Sequence, residues 1–417
     1  MFLDDLAQVL YAPTKAFQKI VQNPKYLGVL LVFVLFVGLI VGFEFVQFSK
    51  IYVENTNPEV GNFQAYLNST VWRSSSNITL TNNYADPFNY SIFVAALGTN
   101  YSVFGNSSLE MHATNANSIT AALGNQFAVN CNATSGFQNL TLTIKQVEPA
   151  VPPKAATLTL YSTADTNFYT YDLTSSLSHI VGTWNSLNIP VGPEASGWTN
   201  TGAPTWNNIT ALQLSVNYPT NSNITLRVGA LFFRGLYQTP VQTSSLGLLE
   251  QFLPSWAFWF ILAWIVLTGI IYVFFYALKT TRIWKPIFVS IGFALIVLVV
   301  RAAVSLIAAA ALPVLYYPYD VTLGIRFNLF GATTYAGNAS SLTALSQNAL
   351  NTINSATAGF GNVVFVMAII AYVWLGALAA IAVGALKPEF SMPKRIAIAL
   401  VSVVVMLFAL LLLIGFI

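Results

Sequence analysis

The chain has 417 residues, 55% of them hydrophobic, 14% aromatic and only 7% charged. Ordinary soluble domains carry about a quarter charged residues, so a purely soluble protein is excluded. The 17 Lys and Arg against 14 Asp and Glu leave a net charge of +3, too small for a nucleic-acid partner. A single cysteine, Cys131, excludes an internal disulfide, and two isolated histidines, His112 and His179, make no zinc pair.

In residues 1–26, Leu3, Leu6, Leu10, Phe17 and Ile20 recur at three-to-four-residue spacing. That stripe predicts helix lying in the cytoplasmic membrane interface. Asp4 and Asp5 at its start and lysines toward its end suit the helix dipole, and Pro13 divides it into two short helices. Five later runs reach the roughly 20 apolar residues that cross a bilayer: Leu27–Phe48, Trp256–Leu278, Ile287–Leu312, Phe360–Leu386 and Ile396–Ile417. No small-residue cleavage site follows the first run, so it reads as an uncleaved anchor.

Basic residues cluster at Lys15, Lys19 and Lys25, at Lys279, Arg282 and Lys285, and at Lys387, Lys394 and Arg395. By the positive-inside rule these mark cytoplasmic segments. The expected location is therefore the plasma membrane, with a cytoplasmic N-terminus. The C-terminus, the 49–250 segment and the 313–359 connection fall outside. Acceptor triplets for N-glycosylation begin at Asn68, Asn77, Asn89, Asn100, Asn106, Asn132, Asn139, Asn208, Asn223 and Asn338. All fall in segments that the charge rule places outside.

Within 49–250, short β-branched and aromatic runs such as NLTLTIKQVEP, ATLTLYST and ITALQLSVNY alternate with turn clusters such as VEPAVPPKAA. This pattern predicts an all-β jelly roll or sandwich. The fold class is thus a five-helix membrane bundle (254–417 with the first span) carrying an extracellular β domain. The domain's few charges and many Asn, Ser, Thr and Tyr resemble the composition of cell-surface proteins of thermoacidophilic archaea.

The stretch TWNSLNIPVGPEASGWTNTGAPTWNNITALQLSVNY followed by ITLRVGALFFRGL is similar to carbohydrate-binding-module jelly rolls. The resemblance covers about residues 84–238. It implies glycan binding, which needs an aromatic face plus converging polar groups. The candidates are Trp184, Trp198, Trp206 and Tyr161, with Asn185 and Asn207 nearby. By alternation Trp184 and Trp206 are expected to plug the sandwich core, leaving Trp198, in the loop EASGWTNTG, as the exposed platform. Asp165 and Asp172 are available for a structural calcium such as many jelly rolls hold, but no metal or cofactor is assigned. No paired carboxylates, nucleophile elbow or metal-ligand pair is present, so no catalysis is expected.

The spacing Pro13-x-x-Ala16-Phe17-x-x-Ile20-x-x-x-Pro24 ahead of the first of five spans resembles the Yip family (Ypt/Rab-interacting proteins). The Asp-Leu-Tyr-Gly-Pro stretch of eukaryotic members is missing, so a GTPase partner is not implied. Glu44 lies ~25 Å and Arg301 ~21 Å along their spans at 1.5 Å per residue. Matching depth predicts an intramembrane Glu44–Arg301 ion pair, since a lipid-facing charge costs on the order of 2–3 kcal/mol.

The expected function is non-enzymatic: a glycosylated surface protein of the bilayer that binds or scaffolds envelope glycans or surface-layer protein, with homo-oligomers allowed. A transporter or channel subunit, or a membrane-shaping or trafficking factor, is the alternative. The face carrying Leu342, Leu345, Ala349 and Ile353 is expected to cap the bundle or dock on the β domain.

Overall fold

Apolar composition alone makes the long helices, because a buried or lipid-facing backbone must satisfy its own hydrogen bonds. The computed structural model describes residues 2–88, 91–94, 99–102, 104–133, 135–178, 181–278, 284–327, 333–335 and 344–414. Its helices are α1 Phe2–Tyr11, α2 Pro13–Gln22, α3 Tyr26–Ser49, α4 Thr174–Leu177, α5 Pro240–Ala277, α6 Trp284–Ala294, α7 Ile296–Ala310, α8 Tyr319–Gly324, α9 Ala344–Leu386 and α10 Met392–Ile414. Five segments are long and apolar enough to cross a membrane: α3, α5, α6 with α7, and most of α9 and α10.

α3 packs against α7 and α5, and α9 against α7 and α10. Close approach of α3 and α6 depends on two glycines. A Cβ on Gly28 would overlap the Phe293 ring, and one on Gly292 would overlap Val29. The expected break at Pro13 is present, between α1 and α2. Ala16, Phe17 and Ile20 are buried, packing α2 on α9 and α6. Leu6, Phe17 and Ile20 of the stripe are therefore covered by neighbouring parts of the chain.

The strands are β1 Ile51–Asn57, β2 Trp72–Ser74, β3 Ile78–Asn83, β4 Ser91–Val94, β5 Thr99–Ser102, β6 Ser108–Val129, β7 Asn139–Glu148, β8 Ala155–Ser162, β9 Ala164–Asp172, β10 Asn185–Pro190, β11 Trp198–Thr201, β12 Ile209–Gln238, β13 Leu315–Tyr317, β14 Ile325–Phe327 and β15 Thr333–Tyr335. Most form a jelly-roll sandwich in which β6 and β12 run through both sheets. Their pairing shifts register between Asn217 and Ile224. Asn115, opposite that break, adopts the left-handed conformation at φ 49°, which asparagine tolerates well.

The first sheet runs β3-β6-β12-β7-β10, with β1 added on the last residues of β12. The second runs β2-β6-β12-β8-β9-β11. Alternation sends Leu109, Met111, Leu140, Leu142, Ile144, Leu158, Leu160, Leu212, Leu214 and Leu226 into the shared core. Burying each such side chain contributes roughly 1.5–3 kcal/mol.

The β domain ends at Gln238, short of the expected residue 250, because helix α5 begins at Pro240. Its start is held by a capping box, Thr239 with Gln242. The 313–359 connection supplies β13, which pairs in parallel with β1, and α8. Leu350 and Ile353 at the start of α9 pack with Ile51, Leu315 and Val321. The outer face of α9 thus docks at the base of the β domain. Leu342 lies outside the described residues, and nothing is described of the Leu345 side chain.

Candidate functional site

Where alternation puts hydrophobes inside, it puts the intervening residues outside, and the outer faces of the two sheets differ. On the first sheet the outward residues of β12 are covered. Phe232 stacks with Phe104 (5.6 Å) and meets Phe63 at a tilt (4.7 Å), and Tyr319 of α8 meets it edge-on at 5.4 Å. Beneath this cover Glu54, 3% exposed, accepts from Arg234 Nε (2.8 Å) and Nη2 (3.0 Å), Gly235 N (2.9 Å) and Tyr319 N (3.0 Å). One carboxylate therefore ties β1, β12 and α8 together.

Further along the same face, Arg227 bonds Glu110 at 2.7 Å and also pairs with Asp86, which Lys145 reaches at 2.8 Å. Partial burial works to raise the Asp86 carboxyl, but bonds from Lys145 and Arg227 outweigh it and hold it below the usual range. Trp184 stands over this cluster, 5.7 Å from Phe88 and with the Lys145 ammonium 5.8 Å from its ring centre. Gly229 lies beneath, where any Cβ would overlap Phe88 and the indole. Trp184 is consequently not a core plug. It packs half-buried on the outer side of the first sheet, one residue before β10.

The other two tryptophans meet at an edge of the sandwich. Trp206 is buried and stacked on Tyr169 at 3.9 Å, as alternation predicts. Trp198 corrects the expectation of an exposed platform. It is half-buried, edge-on to Trp206 (5.5 Å) and against Tyr171 (5.1 Å). Its Nε1 donates to the Pro190 carbonyl at 2.7 Å. That bond joins β11 of one sheet to β10 of the other and uses the polar handle that a sugar would need. Asn185 is likewise engaged, donating to the Ser176 carbonyl at 3.0 Å. Asn207 is exposed in the turn before β12.

The outer face of the second sheet is open and built for polar contact. Its central strands present small residues: Gly124, Ala122 and Thr120 of β6 beside Ala211, Gln213 and Ser215 of β12. The next strands rise higher, with Tyr161 of β8 directly opposite Phe168 of β9, their rings 5.6 Å apart. Tyr161 Oη donates to Gln213 Oε1 at 3.1 Å. In the adjoining row Arg73, Ala122, Gln213, Thr159, Thr170 and Thr199 line up across six strands. The result is a shallow trough with a small-residue floor, one aromatic wall and hydroxyl, amide and guanidinium groups along it. Of the predicted ligand residues, Tyr161 alone lies here. Phe168, Gln213 and Arg73 are not among the sequence candidates, although the alternation of ALQLS and NFYTYD points Gln213 and Phe168 outward.

Among the described residues no cluster of three or more His, Cys, Asp or Glu is placed to hold a metal ion. Asp165 is exposed. Asp172 accepts from Thr174, whose hydrogen bonds hold its carboxyl below the usual range, so it fixes the turn that leads into α4. Cys131 is buried, which pushes its thiol up to about 12.

Of the acceptor asparagines, Asn68, Asn77, Asn106, Asn132 and Asn223 are exposed, and Asn139 and Asn208 are partly covered. Nothing is described of the Asn100 side chain, and Asn89, Asn338 and His179 lie outside the described residues.

Within the bundle the expected Glu44–Arg301 pair does not form. Glu44 accepts from Trp256 Nε1 at 3.2 Å on the α5 side. Arg301 donates to Tyr372 Oη at 3.2 Å on the α9 side, its guanidinium 5.7 Å from that ring. Sequence depth sets the level along each helix but not the direction around it, and the two groups face different neighbours.

No protein-family model matches the chain, and no curated protein matches it. Solved structures with some likeness exist for the β domain. One is a family 11 carbohydrate-binding module of a cellulosomal cellulase of Clostridium thermocellum, at 9% identity and TM-score 0.26, covering 39% of this chain and 85% of that one. A second is the family 11 module from the same organism in complex with a β-1,3-1,4-mixed-linked tetrasaccharide, at 11% identity and TM-score 0.26, covering 44% and 95%. A third is an exo-β-agarase, at 10% identity and TM-score 0.28, covering 42% of this chain and 25% of that one. These scores are too low to transfer a ligand or an activity.

Proposed function

We propose that this is a non-enzymatic surface protein in which a five-helix bundle, Yip-like in its N-terminal motif and span count, displays a glycan-binding β domain outside the cell. The observation that carries this reading is the open trough of the second sheet. Tyr161 and Phe168 offer an aromatic wall against which a pyranose ring stacks. Gln213, Thr170 and Arg73 offer the donors and acceptors that sugar hydroxyls need. The small floor of Gly124, Ala122 and Ala211 lets an extended chain lie across the strands.

The charge asymmetry of the loops supports a cytoplasmic N-terminus, and the exposed Asn68, Asn77, Asn106, Asn132 and Asn223 are the acceptors best placed to carry glycans. Envelope polysaccharide, or glycosylated surface-layer protein, is the matching partner.

The test is saturable binding of neutral envelope polysaccharides to the full-length protein in nanodiscs, followed by titration calorimetry. Loss of binding in Tyr161→Ala and Phe168→Ala, with unchanged unfolding temperature, supports the trough. Binding that survives both substitutions overturns it.

A further inference from the structure

A second feature lies at the opposite end of the β domain, beside the membrane. A cavity of about 860 Å³ opens between β1, the end of β12, α8 and the first turn of α5, within the size range of small-molecule sites. Its wall is apolar at Val53, Val60, Phe137 and Leu236, and Tyr319 adds a second ring. Its polar groups are mainly neutral amides and hydroxyls.

Several of those groups are already engaged. Asn55 Nδ2 donates to Gln238 Oε1 at 2.7 Å, Tyr66 Oη donates to Asn57 Oδ1, and Thr56 Oγ1 donates to the Pro58 carbonyl at 2.7 Å. These bonds leave Asn55 Oδ1, Gln238 Nε2 and Asn57 Nδ2 with capacity for a ligand. That set of one acceptor and two donors suits hydroxyl groups.

Charge narrows the ligand class. Among the described lining residues none is basic, and Glu59 is exposed at the rim, so a phosphate is disfavoured. Glu54 also lines the space, but its oxygens are held by Arg234 and two backbone N–H groups.

The surroundings indicate how such a ligand is presented. α5 kinks at Ser244, whose backbone is non-helical (φ −151°, ψ 48°); at 1.5 Å per residue the stretch from residue 245 to 277 is roughly 50 Å long, about 20 Å more than the hydrocarbon thickness requires. On the surplus turns, Leu246, Leu249 and Leu253 are 66%, 38% and 45% exposed. Spaced three and four residues apart, they share one helical face. This apolar track starts three residues after the cavity-lining Thr243, just past the kink at Ser244, and runs toward the more apolar part of α5.

We infer that the cavity binds the uncharged sugar headgroup of a glycosylated lipid, whose hydrocarbon chain lies along Leu246, Leu249 and Leu253. The site is separate from the trough and does not depend on the trough's function.

The probe is diglucosyl-diacylglycerol, offered to the full-length protein in phosphatidylcholine nanodiscs, with retained lipid counted by native mass spectrometry. Retention at least ten-fold above phosphatidylglycerol is expected. A tenfold loss is expected in Asn55→Ala/Gln238→Ala, and a comparable loss in Leu249→Glu, whose exposed position leaves folding intact. Lys154→Ala, exposed and remote from both the cavity and the trough, leaves retention unchanged. Equal retention of the two lipids, or insensitivity to Leu249→Glu, overturns the inference. Competition by free maltose as effective as that by the glycolipid would instead identify a soluble glycan and overturn the lipid source.

Discussion

The two sheets of the β domain share one core and have opposite exteriors. Outside the first sheet, Phe63, Phe104 and Tyr319 cover Phe232, and Glu54 locks β12 to the segment that returns from the membrane. Outside the second, Tyr161, Phe168, Gln213 and a row of threonines face outward. Both faces come from the same two-residue alternation of strands. One is covered by the segments that hold the domain, and the other is the face proposed to bind glycan. The difference teaches that strands of identical alternation acquire different exteriors according to what the rest of the chain packs against them, and the ion pairs of the β domain lie on the covered face.

The comparison can be broken first at the mount. Glu54→Ala leaves Arg234 and two N–H groups without their acceptor. A loss of ~3–5 kcal/mol is expected, as for breaking a buried ion pair from one side, read as a drop in thermal unfolding temperature. Asp86→Asn on the same sheet is expected to cost less than about 1 kcal/mol, because that cluster is partly solvated and screened. Equal losses from the two would contradict the picture of a single buried anchor.

Next in size is the edge latch. Trp198→Ala removes a packed indole and the bond to Pro190, for an expected ~3 kcal/mol loss of stability. Glycan affinity of the remaining folded protein should be unchanged at low temperature. A selective loss of affinity with full stability would restore Trp198 as a ligand platform.

The open face should show the reverse behaviour. Phe168→Ala is expected to weaken polysaccharide binding about tenfold or more, equivalent to ~1.4 kcal/mol, while changing stability by less than about 1 kcal/mol. Calorimetry and thermal unfolding on the same preparation measure both quantities.

The smallest effect concerns pH. Asp320, buried beside Ser346, has its carboxyl raised above 3.8 by desolvation, only partly offset by the Ser346 bond and the Arg234 charge. A raised folded value means the contribution is fully present below the unfolded value and is lost as pH rises through the folded one. Asp320→Asn should therefore gain on wild type as pH increases from 4 to 7. Unfolding temperatures of the two proteins across that range give the measurement, and parallel curves would refute it.

Much of the architecture was legible from local pattern. Five apolar runs, the break at Pro13, and the strands at NLTLTIKQVE and ATLTLYS follow from periodicity of 3.6 or 2 and from span length. Candidate sites fared less well. Trp198 sits in a glycine-rich loop and looked exposed, yet its indole reaches across to another strand. Tyr161 was noticed but its partner Phe168 was not, because pairing register decides which aromatic stands beside which. Glu44 and Arg301 agreed in depth and disagreed in direction.

The sequence by itself determined the class of each segment: which residues enter lipid, which alternate into strands, and which side of each strand is apolar. Those choices rest on transfer of side chains from water and on local backbone geometry, both properties of short stretches. Only the tertiary structure decided which outer face is covered, which tryptophan latches an edge, and where a cavity opens beside the start of α5. These depend on Glu54, Arg234 and Tyr319, or Trp198 and Pro190, meeting across the chain, and such meetings are set by register and packing rather than by composition.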